Sequence, residues 1–263
     1  ELMRDFKLLT LNIHKGFSAG NRQFTLQKIR QCLRESGANL VFLQEVIGEH
    51  EKHQENISEW PKNNQFEYLA DSVWHHFAYG KNAIYQHGHH GNAILSELPL
   101  KDWNNVDVST LSFSQRGILH GVLENGIHLL CVHFGLFEAE RKQQVQQLIE
   151  TIENDIPHSA ALILAGDFND WRGKAHAQIC SQTDLTEVHV SKKNHRAKTF
   201  PAFFPLLAMD RIYTRGFSIG NVDVMTDSTW KSLSDHCAIV ADVQLISASP
   251  EDTEAEDTER MPC

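Results

Sequence analysis

Polar side chains that could act on a phosphate ester recur where strand-like apolar segments of this sequence end. They are Asn12, Glu45, His133, Asp167, Asn169 and the adjacent pair Asp235 and His236. A residue at a strand end is held by a rigid sheet and still reaches solvent, which a preorganised site requires. We therefore expect these side chains, distant in sequence, to meet in one site.

The residue types indicate metal-assisted hydrolysis. Glu45 and Asp235 are hard oxygen donors suited to Mg²⁺, which binds one or two carboxylates and keeps water or substrate oxygens as its other ligands. Asp167 could align or deprotonate an attacking water. Three further side chains could donate hydrogen bonds to phosphoryl oxygens: Asn12, Asn169 and His236. Taken singly, each motif also fits a turn, a strand edge or a helix cap, so only their joint occurrence indicates a site.

Apolar segments of strand length predict the elements that position these residues. They are Phe6–Ile13, Leu40–Val46, Asn92–Ser96, Gly117–Leu123, His128–His133, Ala161–Ala165, Arg211–Thr214 and Cys237–Leu245. Two amphipathic helices are predicted, Phe24–Arg34 and Glu138–Glu153. Many strands with few helices indicate a layered α/β domain in which two sheets pack together. We expect one catalytic domain over residues 1–248.

Composition narrows the class of protein. The chain has 263 residues, 41% of them hydrophobic, and contains no apolar run of the roughly 18 residues that a membrane span needs. Five cysteines without CxxC spacing argue against a disulfide framework or a cysteine zinc site and favour a bacterial cytoplasm, with a trimmed leader still compatible. Half of the net charge of −10 lies in residues 249–263, an acidic tail expected to be disordered. The rest has no basic run typical of tight duplex binding.

Seven short segments, in this order, resemble the endonuclease/exonuclease/phosphatase superfamily of deoxyribonuclease I-like enzymes. They are Thr10–Ile13, Leu43–Val46, Gly91–Ser96, Val132–Phe134, Gly166–Asn169, Asp210–Tyr213 and Leu233–His236. Asn12–Phe17 and Asp167–Trp171 are similar to the small bacterial YbhP-type members. The resemblance implies a four-layer α/β/β/α sandwich of two mixed β-sheets flanked by helices, with the site at one end of the sheets. It also implies dependence on Mg²⁺, for which Mn²⁺ can substitute.

The same resemblance assigns roles around the metal. Glu45 looks like the main magnesium ligand, with Asn12 beside it and Asp235 as a further ligand. Asp167 resembles the residue that positions the nucleophilic water, and Asn169 resembles its phosphate-binding companion.

Other side chains resemble contacts to the phosphate. His236 resembles the histidine that contacts the scissile phosphate, and Asp210 the carboxylate that orients its ring. Arg116 resembles a phosphate-contacting arginine, although a solvated strand-edge arginine fits equally, and Asn92 resembles a position near the phosphate. His133 matches less well. In deoxyribonuclease I its counterpart pairs with a carboxylate on an earlier strand, and no Asp or Glu occurs between residues 72 and 96.

The aromatic segment Thr199–Leu207 is either a packed loop or a flank of the substrate, where rings stack on unpaired bases or contact lipid chains. Trp171 and Trp230, which adjoin site segments, are candidates for the same role. Substrate choice is expected to depend on such loops.

Three functions are compatible with these residues. The first is a monomeric Mg²⁺-dependent phosphodiesterase acting on DNA or RNA, as a nuclease or end-processing enzyme, without stable membrane insertion. The second is a phosphatase or phosphodiesterase acting on a small or lipid phosphate ester. The third is a non-catalytic binding module on the same fold, which the presence of both carboxylates and the histidine disfavours.

Overall fold

The computed structural model describes residues 3–21, 23–50, 64–71, 73–85, 88–110 and 116–246. The acidic tail lies outside the described residues. The strands are β1 (Asp5–Asn12), β2 (Leu40–His50), β3 (His76–Tyr85), β4 (Gly88–Ser96), β5 (Leu100–Asp107), β6 (Gly117–Leu123), β7 (His128–His133), β8 (Leu162–Asp167), β9 (Thr186–Glu187), β10 (Asp210–Arg215), β11 (Phe217–Val224) and β12 (Ile239–Leu245). The α-helices are α1 (Leu26–Ser36), α2 (Gln65–Ala70), α3 (Glu138–Asp155), α4 (Lys174–Gln182), α5 (Val188–Lys193) and α6 (Ser228–Lys231).

Two six-stranded mixed sheets form the centre of the molecule. The first has the order β11-β12-β1-β2-β4-β3, and the second has the order β5-β6-β7-β8-β10-β9. The two sheets have corresponding parallel pairs at their centres: β1 with β2, and β7 with β8. In each sheet these parallel strands end at the same edge, so their terminal polar residues are brought together.

The inner faces of the sheets pack on each other, and helices cover the outer faces. Leu8, Phe42 and Leu119 are fully buried between the sheets. On the outer face of the first sheet, Ile29 and Leu33 of α1 belong to a second buried cluster, and α3 and α4 cover the second sheet through a third. Burying each large aliphatic or aromatic side chain contributes about 1.5–3 kcal/mol. The expected α/β/β/α sandwich is confirmed.

Two cysteines and one tryptophan are buried in these apolar clusters. Cys32 and Cys131 are free thiols there. Trp230 was wrongly considered for a substrate contact: its side chain is buried in the cluster beside α1, because α6 packs there. Among the described residues, none of the helices has the length and apolar character needed to cross a membrane.

Candidate active site

A cleft of about 500 Å³ opens at the end of the two sheets where β1, β7 and β8 finish. The side chains around it are His14, Lys15, Glu45, His90, Arg116, His133, Leu136, Asp167, Asn169, Phe200, Met209, Asp235 and His236. Most of the residues that the sequence predicts for a phosphoesterase site therefore share one concave surface.

Glu45 reaches the cleft because strand β2 is irregular at this point. Pairing with β4 shifts register between Leu43 and Val46, which is the signature of a bulge. Glu45 also has a left-handed backbone with φ of 53°, which is uncommon for a residue other than glycine. Bulges re-aim side chains near active sites. This one directs the carboxylate toward the cleft that it lines.

Asn12 joins the carboxylates of the two sheets. Its Nδ2 donates to Glu45 Oε1 at 3.2 Å and to Asp167 Oδ2 at 3.0 Å. Its Oδ1 accepts a hydrogen bond from the backbone N–H of His14 at 3.0 Å. Because that backbone group can only donate, it fixes which end of the amide faces the carboxylates. Asn12 thus holds two acidic groups at a defined separation.

Asp167 is the buried carboxylate at the floor of the cleft. It is 1% exposed, and its Oδ1 accepts from the backbone N–H of Asn169 at 2.9 Å. Burial raises the pKa of Asp167 to about 7; the Asp210 carboxylate adds to this, while His236 acts in the opposite direction. A carboxylate whose pKa lies near neutrality suits a general base. Gly166 permits this placement, since a Cβ there would lie 2.0 Å from the Val132 carbonyl oxygen.

Asn169 lies beside Asp167 in a left-handed conformation with φ of 49°. Its Nδ2 donates to the carbonyl of Phe134 at 2.8 Å, which ties the loop after β8 to the loop after β7. Asn169 lines the cleft. Its expected contact with phosphate stays a prediction.

His236 and Asp210 form a buried pair under the cleft. His236 Nδ1 lies 2.8 Å from Asp210 Oδ2, an oxygen that also accepts from Thr199 Oγ1 at 2.5 Å. His236 Nε2 faces Asp167 Oδ2 at 3.7 Å. Burial alone lowers the pKa of His236, but the Asp210 and Asp167 carboxylates outweigh it and raise the pKa to about 10. The ring is therefore an imidazolium at neutral pH.

Replacing Asp210 by Asn is expected to move the alkaline limb of the pH–rate profile downward by at least about one pH unit. Loss of a carboxylate that raises the pKa of His236 leaves burial less opposed, so the ring loses its proton at lower pH. The measurement is kcat against pH from 5 to 10.5. Asp184→Asn, which removes an exposed carboxylate paired with Arg215, is the control. Superimposable profiles for wild type and Asp210→Asn would contradict this assignment.

His133 approaches Asp167 from the second sheet. Its Nε2 lies 3.4 Å from Asp167 Oδ2, so the described residues give it the site's own carboxylate as a neighbour instead of one on an earlier strand. Burial, with Arg116 and His236 as smaller causes, holds the pKa of His133 well below its usual value. His133 is thus a neutral ring beside a charged one. Arg116 lines the cleft nearby.

Asn92 is fully buried and is not among the side chains that line the cleft. Its Nδ2 donates across the sheets to the carbonyls of Gly117 and Cys131, at 3.1 and 3.2 Å. In this position it fixes the start of β6, directly after Arg116. The expected phosphate contact of Asn92 stays a prediction, and an anchoring role is the one visible in the geometry.

Sequence reasoning missed His14. Its Nδ1 lies 3.7 Å from Glu45 Oε2 and 3.5 Å from Asp235 Oδ2. The sequence feature that could have identified His14 is its position two residues after Asn12, where β1 ends. Asp235 is held nearby because Ser234 Oγ donates to the backbone carbonyl of Asn12 at 2.6 Å.

Two groups of side chains could hold a metal ion. Asp167, Asp210 and His236 have donor atoms within 4.8 Å of one another, but all three are buried, and His236 Nδ1 is already paired with Asp210 Oδ2. Glu45 and Asp235 offer oxygen donors whose side chains are 19% and 24% exposed. The second group fits a catalytic ion better, because such an ion must retain positions for water and substrate.

Comparisons with known proteins identify the family of the chain. The Endonuclease/Exonuclease/phosphatase family matches residues 9–236. Over 245 residues the chain is 43% identical to the Escherichia coli (strain K12) protein named "Uncharacterized protein YbhP", covering 91% of this chain and 96% of that one. The YbhP protein of Shigella flexneri matches to the same extent.

Solved structures share the fold at lower identity. An endonuclease/exonuclease/phosphatase family protein from Leptotrichia buccalis superposes with a TM-score of 0.72 at 19% identity, covering 91% of this chain and all of that chain. TDP2 of D. rerio, complexed with single strand DNA product, gives a TM-score of 0.65 at 16% identity, covering 91% and 99%. With the family match over residues 9–236, these observations show that the chain belongs to the Endonuclease/Exonuclease/phosphatase family.

Proposed function

We propose that this protein is a divalent-metal-dependent phosphodiesterase that hydrolyses its substrate by in-line attack of water. The observation that carries the proposal is the convergence on Asp167 of Asn12, His133 and His236, next to the partly exposed carboxylates of Glu45 and Asp235. A base, a cationic donor and a metal-binding pair are the parts that displacement at phosphorus needs.

Each residue has a role that follows from its surroundings. Glu45 and Asp235 would hold the cation, which supplies charge neutralisation at the phosphoryl oxygens. We expect Mg²⁺, with Mn²⁺ as a substitute. Asp167, with a pKa raised to about 7, would orient the water and accept its proton. His236, kept cationic by Asp210, would donate to the phosphoryl oxygen on which charge builds up.

Nucleic acid, at a single-stranded or frayed end, is the substrate class we favour. TDP2 of D. rerio, which shares the fold, is complexed with single strand DNA product. The cleft also carries Lys15 and Arg116, which could meet phosphates despite the overall negative charge. Phe200 lies next to the catalytic floor, with its ring centroid 5.0 Å from that of His236.

A lipid phosphate ester is the second candidate, favoured by exposed apolar side chains on the loops that border the cleft. They are Leu136, Phe137, Trp171, Phe203, Phe204 and Leu206. The loop holding the last three is fixed beside the site, since Ala202 N–H donates to the Asp235 carbonyl and Cys237 N–H to the Thr199 carbonyl. Aromatic rings suit base stacking, whereas Leu136 and Leu206 suit acyl chains.

One substrate panel tests these alternatives. Purified protein with Mg²⁺ or Mn²⁺ would be assayed on bis(p-nitrophenyl) phosphate, plasmid DNA, single-stranded oligonucleotide, RNA, phospholipid vesicles and an inositol phosphate. We expect cleavage of the aryl ester and of the single-stranded oligonucleotide. Turnover of phospholipid alone would establish the second candidate. If the protein cleaves none of these substrates, the third function, a non-catalytic binding module on this fold, is favoured.

The double variant Phe203→Ser/Phe204→Ser is expected to raise KM for a single-stranded oligonucleotide by about 10-fold, since stacking contributes about 1–3 kcal/mol per base. Its kcat on bis(p-nitrophenyl) phosphate should not change, because neither ring lines the cleft. Trp103→Ser, which removes another exposed aromatic ring, on β5, is the matched control. An unchanged KM in the double variant would show that this loop does not contribute to substrate binding.

A further inference from the structure

A second cavity, of about 680 Å³, lies outside the catalytic cleft and is lined by the first turns of α3 and α4. The two cavities lie on opposite sides of one wall. Leu136 lines the cleft and Glu138 lines the second cavity, and the adjacent residues Asn169 and Asp170 are divided in the same way. Two residues of chain span at most about 7 Å, so the second cavity begins close to the cleft.

A ridge made of the loops after β7 and β8 forms this wall. Asn169 Nδ2 donates to the Phe134 carbonyl at 2.8 Å, which joins the two loops. Arg141 Nη1 donates to the Leu136 carbonyl at 2.5 Å, which ties the first loop to α3. The ridge is therefore a fixed part of the surface.

The ridge exposes aromatic rings. Phe137 and Trp171 are 57% and 44% exposed. The guanidinium carbon of Arg172 lies 4.6 Å from the centroid of the Trp171 ring. Proteins that bind single-stranded nucleic acid combine such rings, on which bases stack, with a positively charged groove that follows the backbone. The ridge provides the first of these two features.

Positive charge around the second cavity provides the other. Four cations lie in or beside it: Arg141, Lys142, Lys174 and Arg172. Asp170 is 1% exposed and already paired with the fully buried Arg211 at 3.1 Å. Among the described residues, Glu138 is the one other carboxylate of the lining, and it pairs with Lys174 and Arg172. Exposed ion pairs of this kind are weak, so a phosphate can compete with Glu138 for these cations.

We propose that the second cavity binds a backbone phosphate of a single-stranded nucleic acid whose scissile phosphate lies in the cleft. Lys142 and Lys174 contact this phosphate, and a base stacks on Trp171. Phosphates of one strand follow each other every 3.4 Å or so along a duplex axis and more widely in an extended strand, so one to two nucleotides reach across the ridge. An ester with a single phosphate cannot occupy both sites. The inference rests on the proposed function for the location of the scissile phosphate.

The test compares wild type with the double variant Lys142→Gln/Lys174→Gln and with two controls. Lys142→Arg/Lys174→Arg keeps both positive charges. Lys7→Gln/Lys193→Gln removes two lysines that also pair with carboxylates but line neither the cleft nor the second cavity. None of the four lysines is buried, so each variant is expected to fold.

Binding is measured with a fluorescein-labelled single-stranded oligonucleotide in EDTA, by fluorescence anisotropy over a range of salt concentrations. Each phosphate contact to a single strand contributes about 0.7 to the slope of log K against log[salt]. In Lys142→Gln/Lys174→Gln the slope should therefore fall by about 1.4, with binding at least about tenfold weaker at about 0.1 M salt. Both controls should keep the wild-type slope.

A second readout uses the number of phosphates in the substrate. Bis(p-nitrophenyl) phosphate carries one phosphate, whereas the oligonucleotide carries several. The ratio of kcat/KM for the oligonucleotide to kcat/KM for the aryl ester should fall about tenfold in Lys142→Gln/Lys174→Gln, in proportion to the loss of binding. The ratio should be kept in both controls.

The possible failures are distinguishable. If Lys142→Gln/Lys174→Gln keeps the wild-type slope and ratio, the inference is wrong and the proposed phosphodiesterase stands. If an inositol polyphosphate binds through the two lysines and the oligonucleotide does not, the second phosphate belongs to a small ester, and the assignment to nucleic acid is wrong. If wild type binds the strand through the two lysines but cleaves neither substrate, the second cavity is a binding site and the proposed function fails.

Discussion

Asp167→Asn is expected to lower kcat on bis(p-nitrophenyl) phosphate by about 10³-fold, with the protein still folded. Loss of a general base typically costs between about 10² and 10⁴ in rate. Asn keeps the shape of Asp, and its single side-chain oxygen can still accept one of the two hydrogen bonds of Asp167, from Asn12 Nδ2 or from the backbone N–H of Asn169. It cannot take a proton from water. The assay is release of p-nitrophenol at saturating substrate and metal.

Asp167→Asn should also change how stability depends on pH, and the direction of that change follows from the raised pKa of Asp167. Burial raises the pKa of Asp167 from 3.8 to about 7 in the folded protein. Between about pH 4 and 7, the Asp167 carboxyl is ionised in the unfolded chain but still largely protonated in the folded protein. In wild type, the free energy of unfolding therefore falls as the pH rises through this range. Asn does not ionise and has no such cost. The melting temperature of Asp167→Asn relative to that of wild type should therefore rise as the pH is raised from about 4 to 7.

Asp242→Asn is the control for both measurements, because Asp242 is a half-exposed carboxylate on β12 whose partner is Lys7. It should retain wild-type kcat. An Asp167→Asn protein with more than about a third of wild-type kcat would exclude Asp167 as the base.

Glu45→Gln is expected to be the second large effect. We predict a fall in kcat/KM of about 10³-fold, or about 4 kcal/mol, with partial recovery at high metal concentration. Gln keeps the side-chain length, and its Oε1 can still accept from Asn12 Nδ2, so the local geometry survives while the negative charge is lost. The rate should be measured against Mg²⁺ and Mn²⁺ concentration, because the apparent metal affinity must fall with the rate.

Glu97→Gln is a matched control for this variant. Glu97 also accepts a hydrogen bond from an asparagine side chain, with Asn39 Nδ2 at 2.8 Å from its Oε2, but it is exposed and does not line the cleft. Its metal dependence should equal that of wild type. If Glu45→Gln shows the wild-type dependence on metal concentration, the ion does not bind at Glu45.

The fold was predictable where burial dictates the sequence pattern. Strands such as β6 and β7 are almost wholly buried, so their apolar runs gave the observed bounds, Gly117–Leu123 and His128–His133. Strand β5 was missed because it is mostly exposed at the sheet edge and reads as polar. Strand β11 contains Gly220 at a register shift against β12, which interrupts the alternation expected of a strand.

The site was predictable in its residue types and less so in its contacts. Asp210 and His236 pair as expected from the resemblance, at 2.8 Å. The approach of His133 to Asp167 depends on the register of the parallel strands β7 and β8, which sequence does not reveal. The exposure of Glu45 depends on a bulge, and the ring position of His14 depends on left-handed backbone angles. Neither Glu45 nor His14 is a glycine or a proline, the residue types that would indicate an unusual backbone in the sequence.

We propose that Glu45 and Asp235 hold one catalytic cation beside Asp167 and His236. The decisive measurement is the anomalous scattering of manganese from crystals of the protein soaked with Mn²⁺ and inorganic phosphate. We expect a single strong peak at coordination distance from the Glu45 and Asp235 carboxylates, with phosphate between the ion and His236. A peak inside the Asp167, Asp210 and His236 group, or none in the cleft, would contradict it.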